Sequence, residues 1–226
     1  MPSLIEAFKD DSYRIGDAQA IPYDRTRTAI FPEGFLAGLY VRLKGSRFAA
    51  NRPESRDTLE ALFCGMTDTS FDAIVAYLAK LPLIIMGVWD GDDFEPAGFC
   101  FPSAVTALGD ERMCFGAYAL FRKWWGTDEA TALVMLGICA MFGEWKLLAI
   151  HGTRYDDNYL TARFLKQFGF KDVGKIDRFL LRRGKLSSAI TSSLMREEFE
   201  DYLQRALIAH YSPQKQQGRL FTESGS

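Results

Sequence analysis

An α/β domain, one sheet with helices on both faces, is predicted by three features of this 226-residue sequence. The first is the stretch Phe121-Arg-Lys-Trp-Trp-Gly-Thr-Asp-Glu-Ala-Thr-Ala-Leu-Val-Met-Leu-Gly-Ile-Cys-Ala-Met-Phe142. It reads as a strand end, a tight turn at Gly126 and a helix that is apolar almost all round. Such a helix needs cover on most sides, so it belongs at the centre of a domain. The second feature is a run of three strand-like segments before it. The third is a strand, a helix and a closing hairpin after it.

Composition narrows the class. The chain has 27 basic and 29 acidic side chains, a net charge of -2 and 48% hydrophobic residues. That suits one sizeable core and excludes a disordered chain. A charge this near neutral makes no case for nucleic-acid binding. Met1 to Asp11 lacks the basic-then-apolar pattern of a signal peptide. The longest apolar run, Ala130 to Phe142, is shorter than the ~20 residues that span a bilayer. A soluble, cytoplasmic protein is therefore expected. Cys64, Cys100, Cys114 and Cys139 sit in apolar company with no C-x-x-C spacing. They read as reduced structural thiols, in keeping with a reducing compartment. His151 and His210 are the only histidines, so no metal site is expected.

Three segments divide the chain: an N-terminal extension over 1–55, a domain over 56–195, and a C-terminal helix with a flexible tail over 196–226. In the extension, Ile21-Pro-Tyr, Phe31-Pro-Glu-Gly and Asn51-Arg-Pro are breakers. Phe35 to Leu43 reads as either a strand or a short helix. The basic residues Arg25, Arg27, Arg42, Lys44, Arg47, Arg52 and Arg56 form a solvated face or a docking surface. A short helix is expected over Asp57–Cys64. A second starts near Thr69, where Asp72 completes an arrangement like a capping box, and buries Phe71, Ile74, Val75 and Leu78.

Leu83–Trp89 and Glu95–Phe101 form a hairpin around Asp90–Asp93. A loop is expected over Pro102–Asp110, then a strand over Met113–Phe121 that feeds the turn. Thr127 suits the helix N-cap. Trp145–His151 is a further strand, Gly152–Asp157 a polar loop, and Asn158–Phe168 a helix stopped by Gly169. Phe179–Arg183 and Leu186–Met195 make the closing hairpin around Gly184. The last helix, 196–209, presents Phe199, Tyr202, Leu203, Ala206 and Leu207 on one face.

Asn158-Tyr-Leu-Thr-Ala-Arg-Phe-Leu-Lys-Gln-Phe-Gly169-Phe170, placed after the strand that follows the central helix, resembles a segment of the GNAT N-acetyltransferase family. The Asn, the small residues Thr161 and Ala162, and the closing Gly-Phe all match. The resemblance covers roughly 56–195 and extends to divergent GNAT-like proteins of bacteriophages. It implies a mixed, mostly antiparallel sheet whose central strand pair splays apart. It also implies a cleft for acetyl-CoA and direct attack by an amine on the thioester. The pantetheine would lie along the strand at Tyr118, Ala119, Leu120 and Phe121. The pyrophosphate would meet the turn at Arg122, Lys123, Gly126 and Thr127, and Asn158 would reach the cofactor's amides.

His151, at a strand end, is a candidate general base, and Tyr118 a candidate catalytic hydroxyl; each could instead be purely structural. Asp156 and Asp157 could receive a cationic acceptor, or simply be solvated. Trp124 and Trp125 could cover the cofactor or dock a partner. Two positions depart from the family pattern. Asp128 and Glu129 stand at the helix N-terminus, where a pyrophosphate would go. Leu165 stands where many members carry a Tyr proton donor, and reads as core. The expected function is an acetyl-CoA-dependent N-acyltransferase acting on an amine of a small molecule or protein. The alternative is a GNAT-fold assembly protein, possibly of a phage virion, with homo-oligomers or virion proteins as partners.

Overall fold

A computed structural model describes residues 3–10, 12–45, 70–182 and 185–211. The chain opens with helix α1 (Leu4–Asp10), short strands β1 (Arg14–Ile15) and β2 (Ala18–Pro22), and helix α2 (Phe35–Gly45). Helix α3 (Phe71–Leu78) precedes strands β3 (Ile84–Asp90), β4 (Asp93–Leu108) and β5 (Glu111–Leu120). A 3₁₀ turn (Arg122–Trp124) leads into α4 (Asp128–Trp145), then β6 (Leu147–Tyr155) and α5 (Tyr159–Gln167). Strands β7 (Lys171–Arg182) and β8 (Lys185–Met195) and helix α6 (Arg196–Tyr211) follow.

These strands form one sheet in the order β1-β2-β3-β4-β5-β6-β8-β7. Among the described strands, β5 and β6 are the parallel pair, and every other neighbour is antiparallel. A parallel pair needs a crossover, and α4 supplies it.

Alternation along the strands divides the core in two. On one face Ile84, Met86, Cys100, Cys114, Ile150 and Leu194 meet α4, with Ile5 and Phe8 of α1 and Phe199 and Leu203 of α6. On the other, Ile21, Ile85, Phe99, Phe101 and Ala119 meet Leu36, Leu39 and Tyr40 of α2 and Ile74 and Leu78 of α3. Helix α4 is buried almost continuously from Leu133 to Gly143, as its all-round apolarity requires. It lies close to the sheet: a Cβ on Gly137 would come within 2.8 Å of Met86 Sδ.

Several boundaries differ from the expected ones. The expected 102–110 loop is strand. β4 continues through Pro102, paired with Gly116, and turns only at Gly109 (φ +63°). β3 pairs with β4 only as far as Ile84↔Cys100, so Pro102 lies beyond that ladder, and a bulge follows between Ser103 and Thr106 with Ala104 at φ +47°. β6 continues to Tyr155, into the expected Gly152–Asp157 loop, because β8 pairs with it as far as Tyr155↔Ala189. β7 begins at Lys171 rather than Phe179; as the edge strand it is exposed from Lys171 to Phe179, Val173 and Ile176 included, and shows no apolar alternation. Helix α3 is capped by Ser70, whose hydroxyl accepts from the Ala73 N–H at 3.3 Å, so the cap is one residue later than expected. Phe35–Gly45 resolves as helix.

The expected Asp57–Cys64 helix, Thr69, Arg47, Arg52, Arg56, the Gly184 turn and the 212–226 tail lie outside the described residues. Within them, no helix is long and apolar enough to cross a membrane, and no cluster of potential metal ligands occurs.

Cys100, Cys114 and Cys139 are buried free thiols. Desolvation pushes the Cys114 thiol up to about 12, and burial raises the other two as well. A thiol reagent at pH 8 should therefore leave these three unlabelled in the native chain and modify them once it is denatured. Labelling of any of them at the native-state rate of an exposed cysteine would contradict this packing.

Candidate active site

The centre of the site is the place where β5 and β6 part. Their pairing runs from Arg112↔Leu147 to Phe115↔His151 and stops there. Both strands continue, β5 to Leu120 on β4 and β6 to Tyr155 on β8. A notch therefore opens between two strands in the middle of the sheet. Glycine makes its apex possible, because a Cβ on Gly116 would come within 2.8 Å of Ile150 Cγ2.

The two catalytic candidates flank this notch from opposite faces. Tyr118 packs toward the α4 face, with its ring 6.4 Å from Phe164 of α5. It shares a hydrogen bond with the Thr161 side chain, and burial pushes its phenol up to about 12. At neutral pH it holds its proton. His151 faces the other way, where its ring lies 5.7 Å from the half-exposed Phe115, and it pairs in register with Ser193. Alternation accounts for this split: Cys114, Tyr118 and Leu120 share one face of β5, and Phe115 and Ala119 share the other.

Helix α5 closes the α4 side of the notch. Asn158 caps it, its Oδ1 accepting from the Thr161 N–H at 3.1 Å. Gly169 ends it at φ +95°, while the Phe170 N–H returns to the Leu165 carbonyl. Leu165 is buried in the core. Beneath α5, Asp172 accepts from Ser192 Oγ at 2.7 Å and Arg154 Nη2 at 2.9 Å. The Ser192 bond, then the Arg154 charge, hold its carboxyl below the usual range despite an opposing desolvation. Asp156 pairs with Lys175 at 3.2 Å, so this loop carboxylate already has a cation.

The turn before α4 is closed on itself. The Thr127 hydroxyl accepts from the Ala130 N–H at 3.2 Å and donates to the Trp124 carbonyl at 3.0 Å. The N–H groups of Trp125 and Thr127 donate to Arg122 and Trp124. Trp125, 56% exposed, donates its indole N–H to the Leu120 carbonyl at 2.8 Å. The Phe121 N–H donates to the Ala97 carbonyl at 2.7 Å. Lys123 Nζ lies 2.7 Å from a carboxylate oxygen of Glu95 and 5.0 Å from the Trp124 ring centroid. Asp128 and Glu129 are exposed in the first turn of the helix.

The expected site residues are therefore brought into one region, in two groups. Tyr118, Ala119, His151 and Asn158 surround the notch. Leu120 ends β5, and Phe121, Arg122, Lys123, Gly126 and Thr127 belong to the turn that follows it. Sequence reasoning did not identify Glu95 as the partner of Lys123 or Phe115 as the partner of His151, and it noted Thr161 only for its size. No local signal marks these partners, since each contact depends on strand register or on how a helix lies across the sheet.

This architecture is the GNAT fold. The chain aligns with a GCN5-related N-acetyltransferase from Brucella melitensis at TM-score 0.60 and 12% identity, covering 84% of this chain and 81% of that one. It aligns with spermidine N-acetyltransferase from Vibrio cholerae, in complex with CoA and spermine, at TM-score 0.59 and 11% identity, covering 81% and 98%. RimJ from Mycobacterium smegmatis, in complex with CoA-disulfide, aligns at TM-score 0.56 and 18% identity, covering 84% and 90%. No protein-family model matches the sequence, and no curated protein matches it by sequence.

Proposed function

We propose that the chain is an N-acyltransferase that moves an acyl group, acetyl in the simplest case, from a pantetheine thioester to an amine. The observation that carries this is the notch above Phe115↔His151, which leaves strand edges unpaired at the centre of an otherwise continuous sheet. The amine nitrogen attacks the thioester carbon, the C–S bond breaks, the nitrogen loses a proton and the thiolate gains one. His151, directly or through water, accepts the amine proton on its face of the notch. Tyr118, protonated at neutral pH, returns a proton to the thiolate on the other face, a role that Leu165 cannot fill. Ala119 and Asn158 border the thioester arm, and Leu120, Phe121, Arg122, Lys123, Gly126 and Thr127 lie along its outer end. The buried thiols fit action in a reducing compartment such as the cytoplasm.

The neighbours named for spermidine and for ribosomal-protein-S5 alanine suggest two acceptor classes, a polyamine and a protein α-amine. Incubation with acetyl-CoA and either spermine or a peptide with a free α-amino group should release free thiol faster than acetyl-CoA alone. An absence of thiol release with every amine, together with no thioester binding, would remove the enzyme reading. The self-closed turn would then favour the second reading, a non-catalytic assembly protein of the kind a phage virion uses. That protein would be recognised by a defined oligomer in solution.

A further inference from the structure

We infer that the notch selects its donor by the acyl and pantetheine end, and that the turn before α4 gives a nucleotide diphosphate no favourable site. A capped helix start attracts phosphate when its N–H groups are open and the local charge is positive. The first condition is met only in part, because Thr127 caps one N–H and the first two helical N–H groups have no intrahelical partner; the charge condition fails. The N–H groups of Trp125, Thr127 and Ala130 are donated to Arg122, Trp124 and the Thr127 hydroxyl. Of the two cations on the turn, Lys123 is already neutralised by Glu95. Asp128 and Glu129 add two carboxylates to the first helical turn and complement the helix dipole themselves. At the outer strand end the Leu120 carbonyl already accepts from the Trp125 indole, while the Phe121 N–H stays in the ladder with β4. Below it, the strand at Gly116–Ala119 borders the unpaired part of the notch. The part of the donor that fits is therefore the acylated cysteamine and its adjoining amide, which carry no charge.

This inference rests on the acyltransferase reading, and one titration separates the two. The full chain is titrated with S-acetylpantetheine, acetyl-CoA and adenosine 3′,5′-bisphosphate. The expected result is dissociation constants for the two thioesters within about threefold of each other, a difference of under 1 kcal/mol. The bisphosphate should neither bind nor compete. Acetyl-CoA binding more than about thirtyfold tighter than S-acetylpantetheine would overturn the inference and leave the acyltransferase reading standing. Failure of both thioesters to bind would overturn both. The pair D128N and E129Q, which keeps the Thr127 cap, provides a second readout. It should tighten acetyl-CoA about tenfold by removing two nearby negative charges, with no change for S-acetylpantetheine. An equal effect on both donors would show that Asp128 and Glu129 are not what denies the diphosphate a site, and would overturn the inference.

Discussion

Replacing Tyr118 by Phe should lower kcat about 10²- to 10⁴-fold, the usual worth of a positioned general acid, with KM changed little. The substitution deletes one hydroxyl. The ring keeps its place 6.4 Å from Phe164, so the packing of β5 against α5 survives. Stability should fall only by the lost Thr161 bond, about 0.5–1.5 kcal/mol. That separation of a large kinetic loss from a small thermodynamic one distinguishes a proton donor from a structural tyrosine. The pH profile adds a signature. An ordinary tyrosine gives up its proton near 10. Burial holds Tyr118 to about 12, so the acid form in the wild type persists well above pH 10. The same shift sets a stability trend. The unfolded chain ionises this group near 10 and the folded chain near 12, so the folded state holds the extra proton between them. Its contribution is thus fully present below about 10 and is lost as pH rises toward about 12. Steady-state rates of the wild type and Y118F between pH 7 and 10 test the role. A variant within about threefold of wild type across that range would end the case for Tyr118 as the acid.

What could be read from the sequence followed from how local its cause was. The burial of α4 needed only its own composition, and Gly169 announced the end of α5 because a left-handed position favours glycine. The region before residue 46 was opaque for the opposite reason. β2 earns its strand only by pairing with β3, more than sixty residues later (Ala18↔Val88, Pro22↔Ile84). Its neighbour Phe35–Gly45 is apolar enough to suit either element, and packing against α3 settles it as helix. From sequence β6 reads as ending at His151, because Gly-Thr-Arg looks like loop until β8 supplies a ladder.

The site divides along the same line. The segment at 158–170 pointed to the splayed strand pair, and Asp128 and Glu129 were visible as carboxylates at the helix start where the resemblance implies a pyrophosphate. The neutralisation of Lys123 was invisible, because Glu95 is brought to it only by the antiparallel pairing of β4 with β5. The opposite faces of Tyr118 and His151 likewise depend on the register that sets Phe115 beside His151.

Truncating Phe142 to Ala should cost about 3–5 kcal/mol, a large share of the ~5–15 kcal/mol that holds a domain of this kind together. Phe142 has no exposed surface and sits near the end of a helix that is packed on all sides. Its ring lies 5.5 Å from Phe199 of α6, nearly parallel at 26°. Phe199 in turn stacks on Tyr202, which meets Phe168, which meets Phe164 beside Tyr118. One aromatic chain therefore runs from the C-terminal helix through the core to the notch. The cavity left by F142A cannot be filled by backbone movement alone, because the sheet and α1 hold the opposite sides of α4. Urea denaturation should show a lower midpoint with an unchanged slope, since the surface exposed on unfolding is nearly the same. The loss should also be uneven. Helix α6 touches the core chiefly through Phe199 and Leu203, so amide exchange in α6 should accelerate more than exchange in β3 to β5. A destabilisation under ~1 kcal/mol, or uniform acceleration across the sheet and α6, would mean that Phe142 does not anchor the C-terminal helix. In that case the aromatic chain would be a packing coincidence, and α6 would be held by its contacts with β6 and β8 instead.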